Sequence, residues 1–168
     1  QWMLVKSYAE ERGIEIIGDL PIYPDLDSAD VYAEPGLFLL DENNRPEAVA
    51  GVPPDYFSPD GQLWGNPLYN WNEMKKDGYR WWCDRIRWQL TLFDGVRIDH
   101  FRAFSEYFSI PFGAKSAKEG CWKKGPGLQF VRLLKKVADG KLLIAEDLGD
   151  IDSKTIDLLN RSGLPGMR

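Results

Sequence analysis

Three stretches of this sequence end an apolar run in a carboxylate. "IEIIGDL" (14–20) carries Asp19, "FDGVRID" (93–99) carries Asp99, and "KLLIAED" (141–147) carries Glu146 and Asp147. If the three are parallel neighbours, their acids share one rim. A carboxylate held as an anion can act as a nucleophile, and a second, desolvated carboxyl can stay protonated and act as an acid. Retaining chemistry at a glycosidic bond uses such a pair. A divalent cation could also be held by Asp19, Asp99, Glu146 and Asp147, although these lack a distinctive ligand spacing. A third reading is plainer: an aspartate just past a strand often caps a helix or closes a turn.

Side chains along a strand alternate, so Arg97 and Asp99 point one way and Val96, Ile98 and His100 the other. An arginine beside Asp99 favours its ionised form and lowers its pKa. Glu146 follows the apolar "LLIA", and desolvation of that kind favours the protonated form an acid catalyst needs. His100, the only histidine in the chain, reads by itself as a hydrogen-bonded structural residue rather than a base.

The elements that must position these groups alternate. Leu4, Val5 and Tyr8 mark one face of a first helix that Gly13 ends. Met74, Tyr79, Trp82, Ile86 and Leu90 recur at helical spacing from Asn72 to Leu92, with Trp81, Trp82 and Trp88 as packing residues. Phe130, Leu133, Leu134 and Val137 mark a further helix, and Asp152 or Ser153 caps a last one that Gly163 ends. Helix-to-strand connections are one or two residues. Two strand-to-helix connections are long, about 50 and about 28 residues. In parallel α/β folds such loops gather at the carboxyl ends of the strands, where sites are built. The expected fold is α/β: a partial (β/α)8 TIM barrel of about three consecutive strand–helix units with long strand-to-helix loops. The whole of residues 1–168 is then the central part of a catalytic barrel and not a complete domain, since a full barrel needs ~250 residues. A doubly wound sheet competes, but no GxGxxG or GxxxxGK[ST] turn is present.

Composition narrows the partners. The 26 acidic and 21 basic residues are well mixed, which argues against nucleic acid or an anionic membrane. No apolar stretch is long enough to span a bilayer. Cys83 and Cys121 form neither a CxxC nor a cysteine framework, and read as reduced thiols of a cytosolic protein. The first residues start inside a helix without an initiator methionine and the last stop where another strand could begin, which reads as a piece of a longer chain. The stretch "GVPPDYFSPDGQLWGNPLYNW" (51–71) is rich in Pro and Gly, yet it carries Tyr56, Phe57, Trp64, Tyr69 and Trp71. A flexible linker would not carry such rings, which in loops can stack on sugars and other flat apolar ligands, so this reads as an ordered, aromatic binding loop.

Taken together, "GDLPIY", "SADVYAEPGLF", "GVPPDYFSPDGQLWGNPLYNW", "GVRIDHFRAF", "KGPG", "IAEDLG" and "GLPGM" resemble, in order from Gly13 to Met167, the 4-α-glucanotransferases (amylomaltases or disproportionating enzymes). The resemblance implies Asp99 as catalytic nucleophile, Glu146 as general acid/base and Arg97 as the residue that orients and ionises Asp99. It implies a substrate-binding role for Asp19, Asp55, Tyr56, Trp64, Asn66 and His100, with the 51–71 loop on the acceptor side. It also implies no metal and no cofactor, α-1,4-glucans and maltooligosaccharides as partners, and a cytoplasmic location, or a plastid in a plant. The family's third carboxylate, in a His-Asp-Asn-Asp segment, does not occur here, and Ala103 stands where the family has glycine. Two other readings remain open. One is an inert or sugar-binding-only piece prone to self-association through exposed sheet edges. The other is an α-amylase-type hydrolase, against which the 51–71 loop argues.

Overall fold

The computed structural model describes residues 1–56 and 58–167; Phe57, one of the aromatic residues of the predicted binding loop, lies outside the described residues. Along the chain run α1 (Trp2–Glu10), β1 (Ile17–Leu20), α2 (Ala29–Ala33), β2 (Ala48–Val52), β3 (Gln62–Pro67), α3 (Trp71–Lys76), α4 (Arg80–Leu92), β4 (Gly95–Ile98), β5 (Glu106–Pro111), β6 (Cys121–Lys124), α5 (Leu128–Val137), β7 (Leu142–Ala145) and α6 (Ser153–Ser162). They divide into two compact units. The first comprises Gln1–Ile22, Tyr79–Ser105 and the chain from Pro126 onward; the second comprises Tyr23–Gly78 and Glu106–Gly125.

The first unit holds the three predicted strands as one parallel sheet in the order β1-β4-β7. Its register sets Asp19 beside Arg97 and Arg97 beside Ile144, with Leu20, Ile98 and Ala145 one step further on. Leu20, Val96, Ile98, Leu143 and Ala145, all on one face of this sheet, are buried, while Ile17, Asp19 and Leu142 on the other face are exposed. Helix α4 packs on β1 and β4, α5 on α4, and α6 on α5. At its centre Trp82 meets the ring edges of Phe104 and Phe130 at 5.4 and 5.7 Å, and Phe104 meets Phe130 at 5.0 Å. Edge-to-face pairs of this kind contribute roughly 0.5–1.5 kcal/mol each beyond their burial. This is the partial (β/α)8 arrangement that the alternation predicts.

Several details differ from expectation. The helix predicted from Asn72 to Leu92 is two helices, α3 and α4. Gly78 and Tyr79 lie consecutively at φ 73° and 60°, a left-handed pair that no continuous helix can contain. Trp82 is buried as predicted, but Trp88 is 64% exposed. The apolar face of α1 is exposed too, at Leu4, Val5 and Tyr8, and only Ala9 of that helix is buried. The helix ends hold better: Asp152 caps α6 by accepting the Thr155 amide at 2.8 Å, and Gly163 closes it at φ 66°.

The second unit is made of the two long strand-to-helix connections, and it is not structureless. It contains a four-stranded antiparallel sheet in the order β3-β2-β5-β6. Val49, Phe108, Ile110 and Ala117 form a core cluster there. Tyr69, 1% exposed, is ringed by Tyr23, Phe38 and Trp71 at 5.5, 5.4 and 4.9 Å. Tyr69 is therefore a core residue of the predicted binding loop rather than an exposed ring.

Candidate active site

The parallel ladder continues one residue past β4 and β7 and places Asp99 and Glu146, while Asp19 lies within β1. The Asp99 amide donates to the Leu20 carbonyl at 3.0 Å, and the Glu146 amide donates to the Ile98 carbonyl at 3.0 Å. Asp19, Asp99 and Glu146 thus come from the carboxyl ends of three adjacent strands. The Arg97 guanidinium bridges two of them, with Nη1 2.7 Å from Asp99 Oδ1 and 3.2 Å from Asp19 Oδ1. Arg97 and Asp99 do share a side, as strand periodicity requires.

After Asp99 the chain turns sharply. His100 adopts a left-handed conformation (φ 45°, ψ 48°) and leads into a short 3-10 turn at Phe101–Phe104. That turn aims the His100 amide at Glu146, whose Oε2 accepts it at 2.9 Å. The other oxygen, Oε1, accepts the Leu148 amide at 2.7 Å. Each carboxylate oxygen of Glu146 is therefore held by one backbone donor and keeps a further lone pair for a ligand. On the next residue the buried Asp147 accepts the Met167 amide at 2.8 Å, and the Ala145 amide donates to the Pro165 carbonyl at 2.9 Å. The end of β7 is pinned on both flanks.

The electrostatics correct one expectation. Burial raises the Asp99 pKa above its usual 3.8; Arg97 pulls it down, while Glu146 and Asp19 push it up and His100 lowers it. The net direction is upward. Arg97 opposes the rise as predicted, but desolvation together with two neighbouring carboxylates outweighs it. His100 is lowered from 6.5 to about 4, chiefly by burial; Asp99 opposes that shift and Arg102 adds to it. At neutral pH the imidazole is therefore neutral.

Of the predicted site residues, the first unit brings together Asp19, Arg97, Asp99, His100 and Glu146. The remaining four, Asp55, Tyr56, Trp64 and Asn66, belong to the second unit. Asp55 shapes its own loop: its Oδ1 accepts the Ser58 amide at 2.6 Å and its amide donates to the Ser58 carbonyl at 3.0 Å. Asn66 donates to the Pro24 carbonyl at 3.0 Å. Tyr56 is 94% exposed, and Trp64 lies within β3 with its indole N–H on Gln62 Oε1 at 3.0 Å. Sequence reasoning missed Arg102, which is buried and binds the Asp150 carbonyl and the Asp152 carboxylate. Its signal was a charged residue flanked by Phe101, Ala103 and Phe104, all three fully buried. Among the described residues no group of three or more His, Cys, Asp or Glu side chains is placed to hold a metal ion.

Parallel strands that present carboxylates and an arginine at their carboxyl ends place these groups where α/β-barrel folds build their sites. Comparison with known proteins narrows this. A family model described as 4-alpha-glucanotransferase matches residues 1–168, and the chain belongs to that family. It is 48% identical over its full length to the 4-alpha-glucanotransferase of Streptococcus pneumoniae serotype 4, and covers 33% of that protein. It is 49% identical over its full length to the Aquifex aeolicus 4-alpha-glucanotransferase, covering 35% of it. Among solved structures, the amylomaltase from Streptococcus agalactiae in complex with acarbose superimposes with a TM-score of 0.94 at 45% identity, over 98% of this chain and 33% of that one. The chain spans about a third of the length of the relatives it matches.

Proposed function

We propose that the complete polypeptide carrying these residues is a 4-α-glucanotransferase, which moves α-1,4-glucan segments onto the 4-hydroxyl of an acceptor glucan. The observation that carries this reading is the Arg97-bridged Asp99 beside a Glu146 carboxylate locked by two amides, in a chain of this family. In the first step an Asp99 oxygen attacks the anomeric carbon. The C1–O4 bond breaks, and the departing oxygen takes a proton from Glu146. In the second step an acceptor 4-hydroxyl attacks the same carbon, its proton passes to Glu146, and Asp99 is released. Retention follows from the two inversions. Arg97 orients and counters the charge of Asp99. Asp19 and His100 border the donor sugar, and Asp55, Tyr56, Trp64 and Asn66 favour a sugar acceptor over water. No resident metal or cofactor enters these steps.

Partners under this reading are maltooligosaccharides and longer α-1,4-glucans, with no nucleic acid or membrane. The free thiols of Cys83 and Cys121 support a reducing, cytoplasmic setting. Among the described residues no helix is long and apolar enough to cross a membrane. Incubating the complete polypeptide with maltotriose should build a ladder of longer oligosaccharides, and Asp99→Asn should abolish it. A ladder that survives Asp99→Asn removes the assignment, and release of glucose and maltose with no longer products supports a hydrolase instead.

A second reading applies to residues 1–168 in isolation: sugar binding without turnover. It is favoured by a parallel sheet of only three strands, in which β1 and β7 are both edges. Exposed edges also favour self-association. Titration with maltoheptaose followed by a turnover assay separates it from an active piece.

A further inference from the structure

We propose that Arg102 is a positioning residue for the general acid/base Glu146, acting through the loop that joins β7 to α6. The inference rests on the glucanotransferase reading. The three residues after the nucleophile all tie to one segment, 146–152. The His100 amide holds the Glu146 carboxylate at 2.9 Å, and the Phe101 amide donates to the Glu146 carbonyl at 3.2 Å. Arg102 reaches further along, donating through Nη1 to the Asp150 carbonyl and through Nη2 to Asp152 Oδ2 at 3.4 Å.

Between Glu146 and α6 the chain has no regular structure, and Leu148, Gly149 and Asp150 are exposed. A segment with so little packing of its own takes its position from outside ties. That position matters because the Leu148 amide, in the same segment, is the donor that fixes Glu146 Oε1 at 2.7 Å. Arg102 does this from the interior, being only 8% exposed. A buried guanidinium is costly unless its donors are met, and its planar fork suits a carbonyl and a carboxylate together. Asp152 is shared, since its other oxygen caps α6. The loop is thereby clamped between a buried charge and a helix start.

The alternative is an arginine that only supports the fold, and leaving-group dependence separates the two. In maltotriose the departing sugar oxygen needs a proton from Glu146, and the acceptor hydroxyl must give one up. In α-maltosyl fluoride the C1–F bond breaks to release fluoride unaided, and azide closes on C1 without losing a proton. With both, Glu146 is bypassed in each step. In the complete polypeptide, Arg102→Lys should lower kcat on maltotriose by roughly 10–100-fold with KM nearly unchanged, since a small misplacement of an acid/base is worth up to about 10²-fold. Fluoride release in azide should fall by less than about 3-fold. Asp152→Asn keeps the helix cap and removes the charge, and should show the same selective loss; it decides the matter if Arg102→Lys does not fold. Equal losses on both substrates, or no loss on maltotriose, overturn the proposal. A wild-type polypeptide that transfers from neither substrate removes the glucanotransferase reading itself, and this inference with it.

Discussion

Replacing Arg97 by methionine keeps an unbranched apolar stem, shorter than arginine by the end of the guanidinium, and removes its charge. Arg97 Nη1 lies 2.7 Å from Asp99 Oδ1, with side-chain exposures of 26% and 40%. Charge centres about 4 Å apart attract by about 4 kcal/mol at an effective dielectric of 20 and about 1 kcal/mol in water. Partial exposure places this pair between those limits, near about 2 kcal/mol after screening. The contact with Asp19, whose side chain is 65% exposed, adds less than about 1 kcal/mol. At 1.36 kcal/mol per decade, the loss of ionised, oriented Asp99 amounts to about 30-fold in kcat/KM.

The pH profile carries the sharper test. Asp99 is already raised by burial, and Arg97 is the largest influence holding it down. Without Arg97 the carboxyl protonates at higher pH. The acidic limb of kcat/KM, which reports the free enzyme, should therefore move upward, so that Arg97→Met loses most activity at low pH and recovers part of it as pH rises. Arg97→Lys keeps the charge without the planar fork and should fall between. The assay is glucose release from maltotriose by the complete polypeptide between pH 4.5 and 8. An acidic limb that stays in place or moves down, with the same loss at every pH, would show that Arg97 does not act through the ionisation of Asp99.

Three further outcomes follow from the same geometry. His100 is held near 4 when folded, against 6.5 when free, so only the unfolded chain takes up a proton between those values. Stability should fall by about 3 kcal/mol as pH drops from 6.5 to 4, partly offset near the bottom of that window by Asp99, whose shift has the opposite sign for stability. His100→Asn, which tolerates the left-handed backbone, should flatten the slope in urea melts at pH 7 and pH 4.5. A Cβ on Gly166 would sit 2.7 Å from Asp147 Oδ2; Gly166→Ala should cost about 1–3 kcal/mol in thermal melts and lower transfer, and an unchanged melt would show that Asp147 can yield freely. Tyr56→Ala and Trp64→Ala remove exposed rings and should leave stability within about 0.5 kcal/mol, yet raise the share of hydrolysis in the maltotriose products; an unchanged product ratio would detach both rings from acceptor selection.

The first unit was legible because its signals are local. The three parallel strands read as short apolar runs, and an acid stands at or just past the carboxyl end of each. The second unit was hidden because its signals are not local. Gly51 in β2 sits where an added Cβ would lie 2.1 Å from the Gln62 carbonyl oxygen, and β2 pairs with β3 across a register shift. Strand β3 contains Gly65 and ends in Pro67, residues that argue against a strand when read alone. Strand β6, "CWKK", is exposed throughout and shows no buried alternation. These strands are specified mainly by β2–β5 pairing across about 60 residues, which no window along the chain contains.

The site divides along the same line. Which carboxylates meet was readable from strand ends, because register follows from apolar pattern. The direction in which Asp99 shifts was not. Reading "RID" locally sees one arginine and predicts a lowered pKa, whereas the folded group also faces Asp19 from β1 and Glu146 from the end of β7. Desolvation and repulsion come from strands about 80 and about 47 residues away in sequence, and their sum exceeds the local attraction. The same reasoning bears on Arg102: beside "FRAF" it has no visible partner, and its role depends on a loop about 50 residues downstream. Which charged groups meet is thus a property of short segments, while the tuning of those groups belongs to the assembled sheet. For that reason the pH dependence of Arg97→Met and the leaving-group dependence of Arg102→Lys test the structure more closely than loss of activity in Asp99→Asn, which the sequence motif alone would predict.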